Sequence, residues 1–188
     1  QVSPRKLTFQ MTMDNPFMLH VAPSFSALIG KSVADRKAAY ADPEWRKCVL
    51  EELKGSIIQP RWETYEVSET KKHAEFVGQR ITQVAEARGV EPLDVLLDFS
   101  IEEDLKTRFR CIVANDDEEG VGFLLQQEGV ALGLSDAGAH VGQLCDAPQA
   151  TDLLGNWVRD RGLMPLERAI RKLTGEPADL FGFVDRGY

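Results

Sequence analysis

The chain has 188 residues, of which 43% are hydrophobic and 28% charged, values typical of a globular protein that can bury a core. Its formal net charge of −8 disfavours a nucleic-acid or anionic-membrane surface, because both need a basic field. No apolar run approaches the roughly 20 residues that span a bilayer, and the first residues lack the apolar segment of a signal peptide. We therefore expect no nucleic-acid or membrane partner and, from three widely spaced cysteines, a reduced cytoplasmic protein.

The first half of the chain predicts one strand followed mainly by helices. Apolar and polar residues alternate over 7–12, which is typical of a strand, whereas residues 14–29 have no clear period and predict a long loop. Asp42 and Pro43 together form a helix start signal. The predicted helices cover residues 32–41, 42–55, 77–89 and 92–105, and a short β segment is predicted over 62–67.

The second half predicts alternating strands and helices. The run 130–134 is almost fully apolar, which is typical of a strand that is buried on both faces of a parallel sheet. Strands are predicted at 109–114 and 130–134, and helices at 117–127, 149–161, 165–173 and 177–181. This order predicts βαβ units and a parallel sheet that carries the helical first half as an insertion.

Asp136 is the leading candidate for chemistry. It follows the apolar strand directly, and residues 137–142 form a loop of small residues around His140. Reactive residues of parallel α/β folds lie at the carboxyl ends of strands, and small neighbours let a ligand approach the backbone. A carboxylate there can bind a metal or exchange a proton with a metal-bound water. Aspartates at strand ends also cap turns, so the residues alone leave both interpretations open.

Residues 133–140, Gly-Leu-Ser-Asp-Ala-Gly-Ala-His, resemble the last-strand motif of the amidohydrolase superfamily, specifically its N-acyl-D-amino-acid deacylase (D-aminoacylase) branch. The resemblance continues through residues 153–159, 162–174 and 177–187, and is looser before about residue 108. It implies a (β/α)8 barrel hydrolase that cuts the amide bond of an N-acylated amino acid with the help of one or two zinc ions.

The same resemblance implies a role for each site residue. Asp136 would take the proton of a metal-bound water and pass it to the leaving amine, and in some members this aspartate also touches the metal. His140 is a candidate for binding the small-molecule substrate, although a solvent-exposed loop histidine is the simpler alternative.

The expected fold class is α/β, as a partial (β/α)8 TIM-barrel fragment with a largely helical insertion. We expect a barrel strand over residues 1–13 and a mainly helical insertion or lid over 14–106. The C-terminal βαβα part of the barrel is expected over 107–188.

The metal ligands that the resemblance requires are missing from the sequence. There is no His-x-His pair, and neither His20 nor His73 has a metal-ligand spacing to another histidine or cysteine. His73 lies in the charged run 69–73, which predicts a solvated surface. We therefore expect a fragment that is inactive alone, binds no catalytic zinc by itself, and can pair with a second copy through exposed sheet edges.

Two rival interpretations come from different protein classes. Ser135 could be the nucleophile of an α/β-hydrolase, but Ala137 replaces the second glycine of that motif and His140 follows too closely to complete a triad. Alternatively, the chain is a non-catalytic α/β module that binds a partner or oligomerises through a helical face. Helix faces such as Leu93, Leu96, Leu97 and Ile101 are candidates for it, although they could equally be ordinary core.

The three cysteines receive separate predictions. Cys48 and Cys111 lie in apolar periodic segments and are expected in the core. Cys145 lies in a loop near Asp136, where it either touches a substrate or metal or is merely buried.

Overall fold

A computed structural model describes residues 1–133, 135, 137–139, 142–144 and 147–188. The chain divides into two units, which we call the terminal unit (residues 1–8 and 113–188) and the helical unit (residues 9–112). The described residues form a mixed α/β protein with a three-stranded sheet and many helices. None of the described helices is long and apolar enough to cross a membrane.

Local sequence signals set the first helices. Ser32 caps the helix that begins at Val33 by accepting the Asp35 N–H at 3.1 Å. Asp42 caps the helix that begins at Pro43 by accepting the Glu44 N–H at 2.9 Å. Pro43 occupies the first turn of that helix. The helices are α1 (Pro23–Ser26), α2 (Val33–Ala41), α3 (Pro43–Gly55), α4 (Ile81–Arg88) and α5 (Pro92–Glu102).

Helix α5 lies at the centre of the helical unit and packs against α2, α3 and α4. The side chains of Leu93, Leu96 and Leu97 are fully buried. This is the face that would have served a partner in the non-catalytic interpretation. These leucines lie in the core of their own unit, which is the alternative that the sequence left open for this face.

Arg46 ties α3 to α5. Its guanidinium donates to Asp94 at 2.8 Å, to Asp98 at 2.5 Å and to the Tyr40 carbonyl at 2.6 Å. The Arg46 side chain is only 16% exposed. This largely buried cation is stable because each of its three guanidinium nitrogens donates to an acceptor.

The three-stranded sheet has the order β1-β3-β2, with β1 at Leu7–Thr12, β2 at Glu66–Glu69 and β3 at Arg108–Ala114. Strands β2 and β3 are antiparallel, with Val67 opposite Phe109. The Arg110–Glu66 pair at 2.8 Å reinforces this register. Strand β2 belongs to the first half of the chain, outside the parallel sheet predicted for the second half, so this antiparallel pair does not test that prediction.

Two segments of the helical unit differ from their predictions. Residues 14–29, predicted as a long ordered loop, also contain a 3₁₀ turn (Phe17–Leu19) and the short helix α1, which Pro23 starts and in which Phe25 is buried. Residues 62–67 begin as a 3₁₀ turn at Trp62–Thr64 rather than a strand. The Thr64 hydroxyl closes that turn by donating to the Arg61 carbonyl at 2.8 Å.

In the terminal unit, α6 (Glu118–Gln126) is capped by Asp117, which accepts the Gly120 N–H at 3.0 Å. The remaining helices are α7 (Gln149–Asp152), a π-helix (Leu153–Asp160), α8 (Leu166–Leu173) and α9 (Gly175–Phe181). The uniform helix predicted over 149–161 thus widens after Asp152, where Gly155 and Asn156 bring low helix propensity. Trp157 is buried, and its indole N–H donates to the Pro4 carbonyl at 2.8 Å.

Candidate functional site

The candidate site begins where the predicted strand 130–134 ends. In the described residues this segment makes a parallel bridge, with Leu132 opposite Val2. The Val2 N–H donates to the Ala131 carbonyl at 3.0 Å, and the Gly133 N–H donates to the Val2 carbonyl at 2.7 Å. A Cβ on Gly133 would lie 3.2 Å from the Val2 backbone, so this close pairing favours glycine.

The two predicted site residues, Asp136 and His140, follow this segment in the sequence and fall outside the described residues, as does Cys145. Their roles stay predictions. Of the neighbouring residues, Ser135 accepts the Ala137 N–H through its hydroxyl at 3.2 Å, which is a turn contact of the kind that serine commonly makes.

Gln149, the first residue of the helix Gln149–Asp152, is hydrogen-bonded to the segment that ends at Gly133. Its side-chain amide donates to the Gly133 carbonyl, three residues before Asp136. The Gln149 Oε1 and Asp152 Oδ2 atoms are buried and have no hydrogen-bond partner among the described residues. Two buried acceptors within the single turn of this helix call for a donor, since an unpaired buried acceptor is costly. Sequence reasoning missed both residues, because no motif or spacing distinguishes them.

His73 is not on a solvated surface, and that prediction is wrong. Its ring is buried and stacks on Phe99, with centroids 3.9 Å apart and planes 7° apart. The His73 Nε2 atom lies 3.4 Å from a carboxylate oxygen of Glu102. The two flanking lysines, Lys71 and Lys72, remain exposed as predicted. His73 is buried, unlike these lysines, because its imidazole stacks on the ring of Phe99 in α5.

His20 lies at the end of the Phe17–Leu19 turn and is half-buried. Burial lowers the pKa of its imidazole, so the ring is neutral at neutral pH. Within the described ranges, no group of three or more histidine, cysteine, aspartate or glutamate side chains could hold a metal ion.

The two described cysteines differ. Cys111 is in the core, and burial raises the pKa of its thiol to about 11, so the prediction for this residue is confirmed. Cys48 is exposed, with its sulfur 3.7 Å from a carboxylate oxygen of Glu52, so its predicted core position is wrong. The apolar side chains of α3 that reach the core are Val49 and Leu53, and Cys48 lies outside that face.

No family model matches the chain. An uncharacterized protein of Mycobacterium bovis and one of Mycobacterium tuberculosis are each 33% identical to it over 113 residues. These matches cover 57% of this chain and 18% of each relative. The chain therefore spans less than a fifth of the length of the curated relatives that it matches.

Two kinds of solved structure are similar to part of the chain. One is N-acyl-D-glutamate deacylase from Bordetella bronchiseptica in complex with zinc and a phosphonate inhibitor, at 25% identity and a TM-score of 0.42, covering 68% of this chain and 26% of that one. The other is D-aminoacylase, at 28% identity and a TM-score of 0.40, covering 66% of this chain and 25% of that one. Because both TM-scores are low, we base neither fold nor function on these likenesses.

Proposed function

We propose that the chain is part of a metal-dependent amidohydrolase that cuts the C–N amide bond of an N-acyl amino acid, a D-amino acid derivative being the first candidate. The observation that carries this proposal is the ordered run of motifs from Gly133 to Gly187, in which the segment 133–140 is followed by three further matching segments. The parallel bridge between Leu132 and Val2 supports it, because Asp136 then follows a paired extended segment in the sequence, and α/β enzymes carry their reactive groups at the carboxyl ends of such segments.

In this proposal Asp136 is the proton shuttle. As a carboxylate it accepts a proton from the attacking water and returns it to the leaving amine, a role worth about 10²–10⁴-fold in rate. His140, four residues further along the chain, contacts the substrate. Residues 14–106 form the lid in the same proposal, and their place within the helical unit supports it, since that unit has its own core.

The described residues do not fit a zinc site. A catalytic zinc ion needs about three protein ligands, and no such group exists among the residues that the structure describes. His73 is also unsuited to the task because it is stacked on Phe99. In this proposal, zinc binds only when a longer chain supplies the missing ligands. The 188-residue chain alone is therefore proposed to be inactive.

The test is hydrolysis by the full-length protein that contains this chain. We expect Asp136→Asn to lower kcat for an N-acetyl-D-amino acid by about 10²–10⁴-fold without changing the thermal unfolding midpoint. Asp160→Asn is the matched control, because this exposed aspartate only pairs with its neighbour Arg159 at 2.6 Å. Near-normal turnover of Asp136→Asn would remove the proton-shuttle role.

A separate outcome would remove the enzyme proposal itself. If the full-length protein, replenished with zinc, bound no metal and hydrolysed no N-acyl amino acid, the non-catalytic module would remain. That module would then need another surface, since Leu93 and Leu96 are in the core. Self-association is a proposal too, which sedimentation of the isolated chain would test.

A further inference from the structure

A small cavity lies within the helical unit at the carboxyl end of β1. Its volume is about 100 Å³. A water molecule takes about 30 Å³ in the liquid, so the cavity has room for a ligand of only a few non-hydrogen atoms. Six of the lining residues determine its chemistry, namely Asn15, His20, Phe25, Leu28, Ile29 and Arg36.

The charged groups of the cavity wall already have partners. The Arg36 guanidinium lies 2.7 Å from a carboxylate oxygen of Asp14, and it also donates to the Asp14 backbone carbonyl. The Tyr40 hydroxyl, which also lines the cavity, donates to the Met13 carbonyl at 3.2 Å. His20 is neutral because burial lowers its pKa. Asp14 would repel an anion and Arg36 would repel a cation, so the cavity favours an uncharged ligand.

Two polar side chains of the wall carry hydrogen-bond donors. The side-chain amide of the exposed Asn15 and the imidazole of the half-buried His20 line the cavity, and each carries an N–H group that can donate to a carbonyl oxygen. The apolar part of the lining is formed by Phe25, Leu28 and Ile29. The side chain of Ile29 is 62% exposed, and a ligand that covered it would remove apolar surface from water.

We propose that this cavity is a binding site for a short, neutral acyl amide with two or three acyl carbons. The carbonyl oxygen accepts from Asn15 and His20, and the alkyl end packs against Phe25 and Ile29. The size follows from the volume, and the lack of charge follows from the Arg36–Asp14 pair. The site concerns the helical unit alone and needs no catalytic step, so it stands or falls independently of the proposed hydrolysis.

The experiment uses three probes of similar size and different charge: propionamide, propionate and propylammonium. Each is titrated into the full 188-residue chain while the imidazole signal of His20, identified by its loss in His20→Gln, is followed by NMR. His73 is the internal control, since it stacks on Phe99 and does not line the cavity. We expect propionamide to shift the His20 signal saturably at millimolar concentration and to leave His73 unchanged.

Two comparisons sharpen the result. Acetamide lacks one methylene and should bind about fourfold more weakly than propionamide. Asn15→Ala should weaken propionamide binding about fivefold through the lost hydrogen bond, whereas Asn156→Ala, in the terminal unit, should not. The site is refuted if propionamide leaves the His20 signal unchanged, if propionate or propylammonium shifts it equally, or if His73 responds as strongly as His20.

Discussion

Glu103 is the carboxylate on which the pH dependence of the helical unit should depend most. It accepts four hydrogen bonds: from the Thr70 hydroxyl at 2.6 Å, the Lys71 N–H at 2.8 Å, the Lys72 N–H at 2.5 Å and the Thr107 hydroxyl at 2.9 Å. Burial alone would raise the pKa of Glu103, but these hydrogen bonds outweigh it and lower the pKa from 4.5 to about 2.

The size of the effect follows from that pKa. A depression from 4.5 to about 2 corresponds to about 3 kcal/mol of stabilisation at neutral pH, and partial exposure of Glu103 reduces this to about 2 kcal/mol. The folded pKa lies below the unfolded value, so the stabilisation is complete above about pH 4.5 and is lost as the pH falls towards 2. Glu103→Gln keeps an acceptor oxygen but loses the charge, and should cost about 2 kcal/mol at pH 7.

Urea unfolding at several pH values measures this effect. The original chain should lose stability below pH 4.5 more steeply than Glu103→Gln, and the two curves should converge near pH 2. Glu86→Gln is the control, because Glu86 is an exposed residue of α4. A Glu103→Gln variant that unfolds in parallel with the original chain at every pH, or a cost no larger than that of Glu86→Gln, would refute the reasoning.

Three further predictions concern the cores of the two units. Arg46→Met should lower the free energy of unfolding by about 2–3 kcal/mol, because it removes the hydrogen-bond donor of the Tyr40 carbonyl and of the Asp94 and Asp98 carboxylates. Urea unfolding monitored by circular dichroism measures this change. Trp157→Phe should cost about 1–2 kcal/mol in the same assay, since it leaves the Pro4 carbonyl unpaired, and an unchanged midpoint would contradict that bond. With a thiol reagent at pH 8, peptide mapping should find Cys48 labelled in the folded chain and Cys111 labelled only after unfolding, because burial raises the pKa of Cys111 to about 11.

The sequence alone predicted what depends on neighbouring residues. The alternation over residues 7–12 predicted β1, and Asp42 with Pro43 predicted the start of α3, because a strand face and an N-cap are both set within a few residues. The Leu93 face of α5 was recognised for the same reason, although the period could not show whether it faced a core or a partner. The position of Asp136 after an apolar run likewise came from local pattern.

Tertiary structure decided what depends on distant residues. His73 turns inward because Phe99, 26 positions away, offers its ring, and Glu103 is ionised at low pH because a loop some 30 residues earlier brings its N–H groups to the carboxylate. The cavity beside His20 combines side chains of α1 and α2 with residues 14–16, which follow β1 in the sequence. Such contacts cannot be predicted from a single sequence, because they join residues that are far apart along the chain and follow no regular spacing.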